Sequence, residues 1–144
     1  MSLKKFYYTK LPILDSYGKK VSEVARPIIE IIIKYQDSEM IGPIAALIDS
    51  GADYNLFPSY MCQSLGINLK TGQKSSVIGV SGDKIMTYRH SDIRIFVEGD
   101  SFNTSVEFSD DYNDIPILGQ QGFFDKIKSI KFTRAKEEFL LEMR

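Results

Sequence analysis

The sequence predicts a mostly-β domain, a closed β-barrel of short hairpins with one or two short helices. Three observations carry that expectation. Short apolar runs rich in Ile, Val and Phe recur along the whole chain. Clusters of Gly, Asp, Ser and Asn separate them, as turn residues do between strands. Helix punctuation is scarce by comparison. At 144 residues the chain is expected to form one domain, residues 1–144, that buries about two-thirds of its unfolded surface.

Taken in order, residues 6–14 are rich in strand formers and run into the polar turn Asp15-Ser16-Tyr17-Gly18-Lys19. Arg26-Pro27 then opens Ile28-Ile29-Glu30-Ile31-Ile32-Ile33, whose β-branched content favours a strand buried on at least one face. Gln36-Asp37-Ser38-Glu39 reads as a hairpin turn into a strand over residues 44–48, paired antiparallel with the one before. Pro58 to Leu65, closed by Gly66, has the Pro-first, Gly-last pattern of a short helix. Cys62 inside it reads as a small packed residue without chemistry.

Residues 75–85 give two strand-like arms around a glycine-containing tip, with Ile78, Gly79 and Val80 leading into it. His90, the sole histidine, stands between Arg89 and Ser91 and reads as a surface residue. Residues 93–97 and 102–108 form another hairpin around Glu98-Gly99-Asp100. The acidic stretch Asp110-Asp111-Tyr112-Asn113-Asp114 lacks the glycine and terminal glutamate of a calcium loop and reads as solvated. Ile115-Pro116-Ile117-Leu118-Gly119 re-enters the core, and residues 120–125 suit a short helical turn. Residues 127–132 and 139–143 make a final hairpin, with a helix over 134–143 as the competing assignment.

The chemistry concentrates at Ala45-Ala46-Leu47-Ile48-Asp49-Ser50-Gly51-Ala52-Asp53. An apolar run ends abruptly on a carboxylate, and Ser50 and Gly51 follow. The core thus delivers Asp49 to a tight loop. A carboxylate placed there must be paired, share a proton or be hydrogen-bonded, since desolvating it otherwise costs several kcal/mol, on the order of ~2–7 for an unsatisfied polar group. Ser50 offers a hydroxyl, and Gly51 lets backbone N–H groups approach.

Leu47-Ile48-Asp49-Ser50-Gly51-Ala52 resembles the active-site motif of retropepsin-like (retroviral-type) aspartic proteases, two apolar residues followed by Asp-Ser/Thr-Gly-Ala. Ile117-Leu118-Gly119 resembles the family's second signature, in the right order and at a plausible spacing. The resemblance covers roughly residues 28–132 and suggests a single-domain member of bacterial type. It implies the retropepsin-like acid protease fold, with Asp49 catalytic and Ser50 and Gly51 supporting the loop and the dimer. It further implies that Gly51, Ala52, Asp53, Ile78, Gly79, Val80 and Ile117 contact substrate, residues 75–85 being the flap. The family usually places Arg then Asp or Asn after the second signature, where the Arg pairs with the acid corresponding to Asp53. Gln120 and Gln121 stand there instead, so at best a neutral hydrogen bond replaces the ion pair.

Aspartic-protease chemistry takes two carboxylates sharing a proton. Only one Asp-Ser-Gly occurs, because Tyr17 interrupts Asp15-Ser16-Tyr17-Gly18, and 144 residues cannot hold two lobes. The expected unit is therefore a homodimer acting on a peptide or protein substrate, each subunit giving one Asp49. No metal or organic cofactor is implied. A non-catalytic homodimeric peptide-binding or dimerisation domain of the same fold is the alternative. With 18 basic and 19 acidic residues and no basic stripe, nothing calls for nucleic acid or an anionic membrane. A lone cysteine, no signal-peptide pattern and no apolar run near ~20 residues predict a soluble, cytoplasmic chain.

Overall fold

The structure, a computed structural model, describes residues 2–78 and 82–144. In chain order the strands are β1 (Ser2–Tyr7), β2 (Thr9–Leu14), β3 (Lys20–Arg26), β4 (Ile28–Tyr35), β5 (Ile41–Ile48) and β6 (Leu56–Pro58). A short α-helix, α1 (Tyr60–Leu65), and a 3-10 turn at Leu69–Thr71 separate these from β7 (Gln73–Ile78), β8 (Lys84–Val97), β9 (Asp100–Ser109), β10 (Ile117–Leu118), β11 (Ser129–Thr133) and β12 (Glu138–Met143). Strands β4-β5-β10-β6-β9-β8 form a sheet that closes on itself where β8 pairs back to β4, and β7 extends it beyond β8. The protein is mostly β, and its centre is a closed barrel.

Alternation within the strands fills that barrel. In β4 the side chains of Ile29, Ile31 and Ile33 are buried and Glu30 faces solvent, the period of two that a pleated strand imposes. They meet Ala46 and Ile48 of β5, Ile93, Ile95 and Val97 of β8, Val106 and Phe108 of β9 and Leu118 of β10. Phe57 packs edge-on against Phe108, with ring centroids 5.9 Å apart. Each fully buried Ile, Leu or Phe contributes roughly 1.5–3 kcal/mol of transfer free energy.

Strands β4 and β5 pair antiparallel, Ile28 opposite Leu47, as the hairpin turn predicts. The two-residue strand β10 runs parallel to β5 and antiparallel to β6. It therefore sits between two strands that are consecutive in the sequence. Chain leaving β5 at Ile48 has to bulge out and return on the far side of β10. That detour is the loop carrying Asp49.

Some expectations change and others hold. Residues 6–14 are not one strand: at Tyr8, whose N–H donates to the Glu137 carbonyl, the chain leaves β1 for β2 in a different sheet. Strand β1 pairs with β12, which pairs with β11. The C-terminal segment is thus the hairpin rather than the helix, because Phe139, Leu141 and Met143 alternate into the core. Strand β3 carries no apolar run, yet pairs with β2 as a separate two-stranded ribbon. Helix α1 begins after Pro58 and ends at Gly66, whose φ of 74° is the left-handed conformation of a helix stop. His90 is buried rather than superficial. Its Nε2 lies 2.8 Å from the Leu69 carbonyl, its ring packs on Phe108, and a Cβ on Gly72 would fall 2.5 Å from it.

Candidate active site

Asp49 is the first residue beyond β5, and backbone bonds fix it on both sides. Its N–H donates to the Leu118 carbonyl at 2.9 Å, and its own carbonyl accepts from Ala52 N–H at 3.1 Å. Its Oδ1 accepts the Gly51 N–H at 2.9 Å, the bond that a glycine at this place in the turn was expected to supply. Gly119 closes the opposite side. A Cβ there would lie 2.4 Å from the Tyr54 carbonyl oxygen, so only glycine lets β10 come this close to the loop.

The loop is braced from behind by a residue that the sequence did not single out. Asn55 is fully buried, accepts from Gly119 N–H at 3.0 Å and donates to the Ser105 carbonyl at 3.1 Å. One side chain thereby ties the loop to β9 and to the second signature. Gln120 donates its side-chain N–H to the Ser50 carbonyl at 2.8 Å, and Gln120 and Gln121 donate backbone N–H groups to Ala52 and Asp53. The Gln120 side chain therefore holds the loop at Ser50, and the replacement bond to Asp53 comes from the Gln121 backbone instead.

Asp49, Gly51, Ala52, Asp53, Ile78 and Ile117 line one cavity of about 540 Å³, within the usual range for ligand sites. Ser50 is exposed beside it. Gly79 and Val80 lie outside the described residues. Leu56, Val77 and Ile85 complete an apolar lining, and Tyr112 enters from the acidic stretch. Tyr112 is therefore part of the cleft wall, while Asp110, Asp111, Asn113 and Asp114 are exposed to solvent as expected. The Tyr112 hydroxyl donates to the Ile115 carbonyl at 2.5 Å, and burial, then Asp114, then Asp49 push its pKa up to about 12.

Glu107 is the second residue that sequence reasoning missed. Its side chain is buried in the cleft wall, where Oε1 accepts from Arg89 Nε at 3.0 Å and Nη2 at 2.9 Å, and Oε2 accepts from the Thr87 hydroxyl at 3.1 Å. Hydrogen bonding to Glu107 raises the Arg89 pKa further. The Arg89 guanidinium also stacks over the Tyr54 ring, 4.9 Å from its centroid. Tyr54 and Glu107 form the partition between the cleft and a smaller polar cavity of about 170 Å³. Cys62 is buried away from the chemistry, its thiol pushed up to about 12 mainly by desolvation. Among the described residues no three His, Cys, Asp or Glu side chains cluster as a metal site, and no helix is long and apolar enough to cross a membrane.

No family sequence profile and no curated protein sequence matches the chain. In three dimensions it is similar to a retropepsin-like aspartic protease from Rickettsia conorii, at a TM-score of 0.62 over 98% of this chain and 99% of that one, with 14% identity. The fold is retropepsin-like. The EIAV protease in complex with an inhibitor aligns with 65% of this chain and 81% of its own, at 24% identity and a TM-score of 0.49. In the retropepsin-like fold of this chain, both sequence signatures meet at one point: Asp49 hydrogen-bonds to Leu118, and the Gly119 backbone passes under Tyr54.

Proposed function

We propose that the protein is an aspartic endopeptidase whose active unit is a homodimer, with one Asp49 from each subunit forming the catalytic pair. The observation that carries this reading is the placement of Asp49. It lines an apolar cleft, held by backbone groups of β10 and of its own loop. Of the two other carboxylates lining that cleft, Glu107 is engaged by Arg89 and Thr87, and Asp53 is assigned to the substrate main chain. A two-fold axis beside the Asp49 loop supplies the missing acid as a second Asp49.

In the dimer the two carboxylates share one proton, since like charges at contact distance do not both ionise. The ionised Asp49 takes a proton from water as that water attacks the peptide carbonyl. The protonated Asp49 gives its proton to the carbonyl oxygen, forming a neutral tetrahedral diol. Proton transfer back to the amine nitrogen expels the leaving group, and no covalent enzyme intermediate forms. The carboxylate pair itself activates the water and supplies the acid, so the proposed reaction calls for no metal or organic cofactor.

Ser50 and Gly51 hold the two loops level across the dimer, and Gly51, Ala52 and Asp53 bind substrate main chain. Ile78 and Ile117 offer apolar contact to substrate side chains, and Gly79 and Val80 close over them as the tip of a β7–β8 flap, excluding water. The test is cleavage of a diverse peptide library from acid to mildly alkaline pH, wild type beside Asp49→Asn. The expected outcome is cleavage by wild type and a loss in Asp49→Asn of at least the roughly 10²–10⁴-fold that general acid–base catalysis supplies. Equal residual cleavage in both would remove Asp49 from the mechanism. Peptide binding without cleavage by either would favour the binding-domain alternative.

A further inference from the structure

We infer that the β2–β3 ribbon is an arm that lies on the surface of a second copy of this chain and builds much of the dimer contact. The inference rests on the homodimer reading and adds the surface that makes it. Among the described residues both edges of the ribbon lack a strand neighbour, because β2 and β3 pair with each other alone. A lone two-stranded hairpin is marginally stable at best in water. Yet this one keeps apolar side chains outside: Leu11, Ile13 and Val21 are 37%, 43% and 60% exposed. Tyr17, at the connecting turn, is 93% exposed.

Register sorts these residues by face. Leu11 is opposite Val24 and Ile13 is opposite Ser22, so Leu11, Ile13 and Val24 form an apolar stripe on one side. Lys10, Pro12, Leu14, Glu23 and Lys20 take the other, where Lys20 pairs with Glu23, Lys10 reaches Glu137 of the chain's own body and Leu14 is 55% exposed. Lys10 thus ties the second face to the parent subunit at its base, and on the first face Val24 is half-buried while Leu11 and Ile13 stay exposed.

Two features point to a second copy as the occupant. The arm is rooted at the catalytic loop: Ile48, one residue before Asp49, donates its N–H to the carbonyl of Pro27, one residue beyond β3. Two Asp49 side chains sharing a proton place each arm's root beside the partner's loop. A six-residue strand then reaches about 20 Å across the partner. Charge agrees. With Lys10 turned to Glu137 and Lys20 paired with Glu23, the ribbon and its turn keep Arg26 and Lys19 against Asp15. The surface around the cleft carries Asp53 and the stretch with Asp110, Asp111 and Asp114, and Asp111 accepts from Met86 N–H beside the cleft.

Thr9 and Arg26 are cross-strand partners, so replacing residues 10–25 by Asn-Gly closes the chain as a two-residue hairpin. That deletion and the double variant Leu11→Lys/Ile13→Lys would be compared with wild type by sedimentation over a dilution series, with circular dichroism reporting the barrel. The expected result is a wild-type dimer and a dimer dissociation constant at least tenfold higher in both variants, the barrel intact. If the deletion does not fold, the double variant decides. A dimeric wild type matched by its variants would overturn the arm and leave the homodimer standing. A wild type monomeric at every concentration, with and without peptide, would overturn both.

Discussion

Glu107 and Arg89 lie 18 positions apart in the sequence, and neither neighbourhood marks them. They meet because the β8–β9 register sets Arg89 opposite Glu107. Asp49 was legible by contrast, since its signal is local: an apolar strand, a carboxylate, then a glycine that bonds to it. The Glu107 carboxylate buried in the cleft wall is costly unless its partner stays. Arg89→Ala is therefore expected to destabilise the protein by about 3 kcal/mol, the lower end for a broken buried pair because Arg89 is partly exposed. The double variant Arg89→Met/Glu107→Met should recover most of that loss. Urea unfolding measures both, and an unshifted Arg89→Ala midpoint would show that water reaches Glu107. Tyr112 gives a pH signature. Its folded pKa of about 12 exceeds the ordinary value of 10.0, so its protonated form is favoured in the folded chain. That contribution is fully present below pH 10 and fades as pH rises through about 12. Tyr112→Phe should flatten the alkaline fall in stability over this window, and identical profiles would contradict it.

At the scale of elements, the site depends on β10 being only two residues long and wedged between β5 and β6. The hairpins were readable because alternation and turn residues are neighbours in sequence. The wedge was not, since it requires β5, β6 and β10 to be brought together from positions some 60–70 apart. The same holds for Asn55, whose two bonds reach Ser105 and Gly119. His90 was misread for a related reason: only the fold places the Leu69 carbonyl against its ring. Gly119→Ala would drive a methyl group into the Tyr54 carbonyl, against backbone that cannot rotate away. The expected cost is about 1–3 kcal/mol or more, as for overpacked cores, with cleavage lost further than stability because the Asp49 loop is displaced. Thermal melts and turnover together test this, and a variant of wild-type stability and activity would show that β10 has room to move.

At the scale of the whole molecule, the proposed site is one that a single barrel half-builds, with its one Asp-Ser-Gly loop. The barrel's strands close on themselves, leaving the Asp49 loop and the β2–β3 ribbon outside it. The ribbon was only half legible: β2 shows strand formers, whereas β3 alternates charged and small residues with no apolar run. The need for a second subunit followed from counting carboxylate motifs in the sequence, and it is the central claim. The measurement that tests it most directly is activity in mixed dimers, made by refolding wild type with Asp49→Asn in varied proportion. If each active site takes one Asp49 from each subunit, activity falls with the square of the wild-type fraction, to about a quarter in an equal mixture. A linear fall, to about half, would mean that each subunit works with its own Asp49 alone, and a fall only to about three quarters that one Asp49 per dimer is enough; either would contradict the shared pair.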